Sequence, residues 1–161
     1  MLKVIQFYGQ KYGGTNSSDR VYISNIGIAY GYNDRYLEKS FHHEFSSVLL
    51  RKYPRYFNKK AWKNLSKLPY DLGGVNALKQ GKDSQTIDSS FNINGFLYQY
   101  ATSVIENDFD SFAENLFSPA AGFWEAVEKY PLLKKKADII IGFYNHLNKI
   151  FTKQYFLSFS T

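Results

Sequence analysis

Two adjacent side chains in one short run have the types and order for metal-assisted hydrolysis. In Phe41-His42-His43-Glu44-Phe45-Ser46-Ser47, the pair His43-Glu44 supplies an imidazole followed by a carboxylate. In a His-Glu-x-x-His pattern on a helix, two imidazoles four residues apart project about 40° from each other and share one zinc ion. The Glu between them then acts as general base on the zinc-bound water, whose pKa the metal lowers to about 7. Here the position of the second imidazole is Ser47. A neutral hydroxyl is a poor zinc ligand beside imidazole or carboxylate. His42 does not substitute for it, because adjacent helical residues point about 100° apart and the residue four beyond His42 is Ser46. The doublet therefore offers one convergent nitrogen, and further ligands must come from other elements.

Further along, Glu106, Asp108, Asp110 and Glu114 form an acidic stretch within a few helical turns. Taken by itself it has an electrostatic role, since carboxylates in the first turn of a helix are stabilised by the macrodipole.

These positions need elements to hold them. Asn33-Asp34 predicts a helix cap, and Leu37, Phe41, Phe45, Val48 and Leu49 form an apolar stripe at spacings of three and four, so a helix is expected from near Arg35 to just before Pro54. Upstream, Leu2 to Tyr12 fits a short helix ended by Gly13-Gly14, and Val21-Tyr22-Ile23 and Ile26 to Tyr30 read as strands. From Arg55 to Ser90 a long loop is expected, with a helical piece around Lys60 to Leu68. The C-terminal half reads as helices over Asn107 to Phe117, Ala120 to Tyr130 and Asp138 to Phe151, the last extending back toward Leu132.

The segment from Phe41 to Leu50, followed by Gly95-Phe96-Leu97-Tyr98-Gln99-Tyr100 and Glu106-Asn107-Asp108-Phe109, resembles the zinc-binding metallopeptidases of Bacteroidetes, many of them lipoproteins. The resemblance covers roughly Ile26 to Phe117. It implies an α+β, zincin-like fold, with a small β-sheet packed on the central motif helix and a mainly helical C-terminal half. It also implies zinc held by His43 and by an acidic ligand at the start of the later helix, with Asp108 the first choice, Glu106 the second and Asp110 a further candidate, together with Glu44 as base, a peptide or protein substrate, and a place in the cell envelope. With Ser47 in the second histidine position, the companion reading is an inactive homologue that binds peptide or glycan at the bacterial surface.

Composition narrows the remaining classes. At 161 residues the chain suits one domain, residues 1–161, that buries about 70% of its unfolded surface. Hydrophobic residues make up 44% and aromatics 19%, enough for a folded core. Cysteine is absent, which removes disulfides, thiolate nucleophiles and cysteine-based zinc modules. No apolar run approaches the roughly 18 residues that span a bilayer, so neither a signal peptide nor a transmembrane segment is expected within the chain. A longer secreted or lipid-anchored parent is compatible with that. The net charge is +6, and seven cations between Arg51 and Lys67 stand without an acid among them. Tyr53, Tyr56, Phe57 and Trp62 interleave this run, yet no recognised nucleic-acid module accompanies it, so no specific nucleic-acid partner is expected. Lys134-Lys135-Lys136 at the start of the last helix and His146 within it carry no functional assignment.

Overall fold

The computed structural model describes residues 13–23, 33–70 and 73–160, together with the backbone of two short strands before them. The chain is mixed α/β and mostly helical, with two small antiparallel two-stranded sheets. Strands β1 (Gln6–Phe7) and β2 (Gln10–Lys11) pair with each other. This corrects the helix expected over Leu2 to Tyr12, where a mixed apolar period decides weakly between helix and strand. Strands β3 (Gly14–Asn16) and β4 (Val21–Ile23) form the second pair, with Thr15 opposite Tyr22. The second expected strand, Ile26 to Tyr30, lies outside the described residues.

Helix α1 (Asp34–Lys52) has the bounds its punctuation predicts. The Asn33 side chain accepts from the Tyr36 amide at 3.1 Å, Asp34 lies at the positive end of the dipole, and Arg51 and Lys52 lie at the negative end. Pro54 then opens a 3-10 turn (Pro54–Tyr56). β3 and β4 both pack on α1, so the small sheet does lie on the motif helix. Further on come α2 (Lys59–Lys63), α3 (Gly74–Lys79), α4 (Ser89–Asn92) and a 3-10 turn (Gln99–Thr102). The expected long loop is thus divided by short helices. Four helices follow: α5 (Ile105–Phe117), α6 (Phe123–Lys129), α7 (Pro131–Leu147) and α8 (Lys153–Leu157).

α5 is the axis of the molecule. Phe109, Phe112 and Leu116 are fully buried and meet Trp62, Phe123 and Phe143 in an aromatic-rich core. Edge-on ring pairs dominate there, an arrangement that adds about 0.5–1.5 kcal/mol per pair beyond the area buried.

Two features depart from the pattern of the sequence. The apolar stripe on α1 does not all face inward: Phe41 and Phe45 stack on each other at 5.3 Å while remaining 42% and 38% exposed. The buried face of α1 instead carries His43, Ser46 and Ser47 alongside Val48 and Leu50. The second departure is Lys136, whose ammonium lies inside the core. It donates to Asp108 Oδ2 at 2.6 Å, the Gly95 carbonyl at 2.6 Å and Ser66 Oγ at 2.9 Å, over the faces of Phe96 and Trp62. Trp62 Nε1 (2.7 Å) and the Tyr70 hydroxyl (2.5 Å) donate to the same Asp108 oxygen. Burial pushes the Asp108 carboxyl up and the Lys136 ammonium down, and their mutual attraction opposes both shifts.

Removing one member of such a pair leaves a buried charge uncompensated. Lys136→Met is therefore expected to cost about 3–5 kcal/mol in urea unfolding. The double variant Lys136→Met/Asp108→Asn should lose much less than the sum of the two single losses. Additive losses would show that the pair is not coupled.

Candidate functional site

The polar face of α1 and one face of α5 form the candidate site together. Lys39, His43, Ser46 and Ser47 recur at helical spacing on α1, and Asp110 and Glu114, four residues apart, share a stripe on α5. His43 Nδ1 lies 2.9 Å from Glu114 Oε2, and its Nε2 lies 3.9 Å from Asp110 Oδ2. The other Glu114 oxygen accepts from the Tyr98 hydroxyl at 3.0 Å, with the Lys39 ammonium 4.0 Å away. Lys39 itself donates to Asn115 Oδ1 at 2.9 Å. Both Asp110 oxygens accept hydroxyls, Oδ1 from Ser46 by a short contact and Oδ2 from Ser47 at 2.6 Å. Asp110 is 1% exposed and Glu114 is 3% exposed, so these bonds replace hydration that the carboxylates have lost.

The electrostatics follow from that arrangement. Burial by itself would lower the His43 pKa, but the Glu114 hydrogen bond and the charges of Asp110, Glu114 and Glu44 outweigh it and raise the group to about 10. Asp110 is raised to about 7 by burial, against the opposing pull of His43, Ser46 and Ser47. His43 is accordingly an imidazolium at neutral pH, clasped between carboxylates.

Glu44 stands apart from this cluster. It is half-buried, and its Oε2 accepts a short hydrogen bond from the Asn16 amide on β3. Arg51 holds Asn16 in turn and donates to the Ser17 carbonyl at 2.7 Å. Over Glu44 and His43 lies a groove in two adjoining parts, of about 300 and 280 Å³. β3 forms one wall, α1 the floor, and Leu78 with Tyr100 the opposite wall. Gly14 is flush with the floor: a Cβ there would stand 2.9 Å from Glu44 Cγ.

The sequence-predicted site residues divide into three groups. His43, Glu44, Ser47 and Asp110 come together at the groove. Asp108 does not join them. As the first-choice ligand it is corrected by its engagement with Lys136, Trp62 and Tyr70, since residues two apart on a helix project on nearly opposite sides. Glu106 is corrected likewise, its half-exposed carboxylate lying 4.0 Å from Lys59. His42 stacks flat on Phe117 at 4.2 Å, away from His43. Glu114 is the carboxylate nearest His43, and its spacing of four from Asp110 was the signal for it. His146 is exposed and bonds the Gly142 carbonyl at 2.7 Å.

The donor set can be tested against zinc. A single ion can take only one nitrogen of His43, and the two carboxylates approach opposite nitrogens. One ion would then have His43 and one carboxylate, with Ser47 turned to Asp110. Among the described residues no group of three or more His, Asp or Glu is arranged to hold a metal ion. The side chains as placed do not fit a three-ligand zinc site.

The cluster has a pH signature. His43 has a folded pKa above its unfolded value of 6.5, so the stability it contributes is complete below about pH 6.5 and is lost as pH rises through about 10. Asp110 is also raised, from 3.8 to about 7, so the fold favours its neutral form and loses stability as pH rises between those values. The two shifts act in the same direction. The melting temperature should fall between pH 5 and 10, and His43→Gln should flatten the limb above pH 6.5. An unchanged slope in that variant would remove His43 as its source.

No family model matches the chain, and neither a curated protein nor a solved structure matches it.

Proposed function

We propose that this is a zincin-like domain of the metallopeptidase type whose site has become a binding groove, holding an extended peptide over Glu44 and His43 without cleaving it. The observation that carries this reading is the fate of the α5 carboxylates. Asp110 and Glu114 are engaged by Ser46, Ser47, Tyr98 and an imidazolium, and do not converge on one point in the groove. Metal binding at His43 would have to displace the proton that Glu114 and Asp110 favour there. Hydrolysis by Glu44 as base on a zinc-bound water requires His43 to lose its proton and the carboxylates to reorganise.

Two observations support a peptide as the occupant. β3 pairs antiparallel with β4 and lines the groove, so strand backbone, the element to which an extended chain can add, forms its wall. The groove also continues along β3 past Glu44 on both sides, because Gly14, His43, Glu44, Leu78 and Tyr100 line both of its parts. The resemblance in the motif helix extends this reading to a peptide ligand met at a bacterial cell envelope. Among the described residues no helix is long and apolar enough to cross a membrane.

A fluorescently labelled random peptide library, measured by anisotropy and by mass spectrometry with and without zinc, tests the reading. Binding without new fragments is expected in both conditions. Leu78→Ala, which removes an apolar wall common to both parts of the groove, should weaken binding by roughly tenfold, the equivalent of about 1.4 kcal/mol, at an unchanged melting temperature. Ser47→His should raise zinc uptake above that of the parent protein by restoring a second imidazole at the fourth position. Zinc near one per chain in the parent protein, with zinc-dependent cleavage, would overturn the proposal in favour of a working hydrolase. Absence of peptide binding in both conditions would remove the groove's role altogether.

A further inference from the structure

The seven cations between Arg51 and Lys67 are all exposed, while the aromatics interleaved with them are not free. Trp62 is fully buried and Phe57 packs against it. Tyr53 and Tyr56 stack on each other at 6.2 Å, and Arg55 lies over the Tyr56 ring at 4.8 Å. His146 stacks on Tyr56 at 5.1 Å. Ring faces that could receive nucleobases are already covered. Charge is what this surface offers, and among the described residues the one acidic contact to it is Glu106, 4.0 Å from Lys59.

Two exposed aliphatic side chains follow or precede residues that contact this run. Ile93 and Ile150 are the most exposed large hydrophobics among the described residues, at 58% and 57%. Ile93 adjoins Asn94, whose carbonyl accepts the Lys67 amide at 3.0 Å. Ile150 follows Lys149 and lies four residues past His146, which is stacked on Tyr56. Cations together with exposed aliphatic side chains match an anionic bilayer surface, where lysines meet lipid phosphates and aliphatic tips enter the headgroup boundary. A nucleic-acid backbone would satisfy the cations and leave both isoleucines in water.

We propose that the face formed by the end of α1, the Pro54–Tyr56 turn and α2, together with Ile93 and Ile150, docks on anionic phospholipid headgroups. This inference is separate from the peptide groove: Arg51 also bonds the strand that walls the groove, and the variants that test the inference leave Arg51 in place. Each cation near a charged bilayer contributes about fivefold in affinity, so neutralising three of them should reduce binding roughly a hundredfold.

The test is sedimentation of the full 161-residue chain with vesicles of phosphatidylcholine alone or with 30% phosphatidylglycerol (about one anionic lipid in three). Binding should require phosphatidylglycerol and fall steeply with salt. Lys59→Ala/Lys60→Ala/Lys63→Ala should lose roughly a hundredfold, whereas the Lys→Arg triple retains binding. Ile150→Ser should weaken binding several-fold at constant salt. The proposal is overturned by any of three results: no binding to anionic vesicles at low salt, undiminished binding by the alanine triple, or tighter binding to a DNA duplex than to vesicles. All of these variants lie on the surface, and unchanged melting temperatures would separate lost docking from lost folding.

Discussion

Buried charge on α5 sets the terms for much of the molecule. Asp110 and Glu114 lose their water against α1, and a carboxylate in that position needs donors on the facing element. The sequence of α1 meets the need with His43, Ser46 and Ser47 at spacings of three and four, and with Lys39 one turn earlier. The helix consequently turns its polar residues inward, and Phe41 and Phe45 are left on the outer side. A helix oriented by its hydrophobic stripe alone would be rotated the other way. Here the penalty for unpaired carboxylates exceeds the gain from burying two phenylalanines, because an uncompensated ion costs several kcal/mol and a buried aromatic side chain contributes about 1.5–3.

The opposite side of α5 repeats the solution with different partners. Asp108 gathers Lys136, Trp62 and Tyr70 onto one oxygen, tying α7 and α2 to the axis. One helix thus carries two polar cores, separated by Phe109 and Phe112. Registry follows: sliding α5 by one residue would remove both carboxylate clusters from their donors at once. Apolar packing alone tolerates such slippage far better, as hydrophobic residues of similar volume exchange at low cost.

Much of this was legible in the residues, and the exceptions have physical causes. The ends of α1 were readable because Asn33 and Pro54 act locally. The meeting of His43 with an acidic segment was expected from the resemblance of the two segments, since spacing alone also suits carboxylates placed at a helix N-terminus. Which carboxylate meets His43 was not legible, since Asp108, Asp110 and Glu114 differ only in azimuth, and azimuth is set by what α5 packs against. Lys136 was hidden for a similar reason. Within Lys134-Lys135-Lys136 the three side chains are chemically identical, and only the phase of α7 decides that the third enters the core. The pairing of Gln6–Phe7 with Gln10–Lys11 was hidden differently, because an apolar pattern without clear period leaves helix and strand close in energy.

Ser47 brings these strands together. An imidazole at that position would present a nitrogen to a shared ion and would leave Asp110 to serve the same ion or to orient the ring. The hydroxyl instead donates to Asp110, and Ser46 occupies the other oxygen, so the carboxylate becomes a local partner of α1. His43 is then left between two negative groups, which raises its proton affinity and removes its lone pair from the groove. With a hydroxyl at position 47 the cluster supplies its own cation, the imidazolium itself. Glu44 is held outside that cluster by Asn16 on β3, which Arg51 fixes in turn from the end of α1. Shape and charge at this site are thus held by largely separate sets of residues.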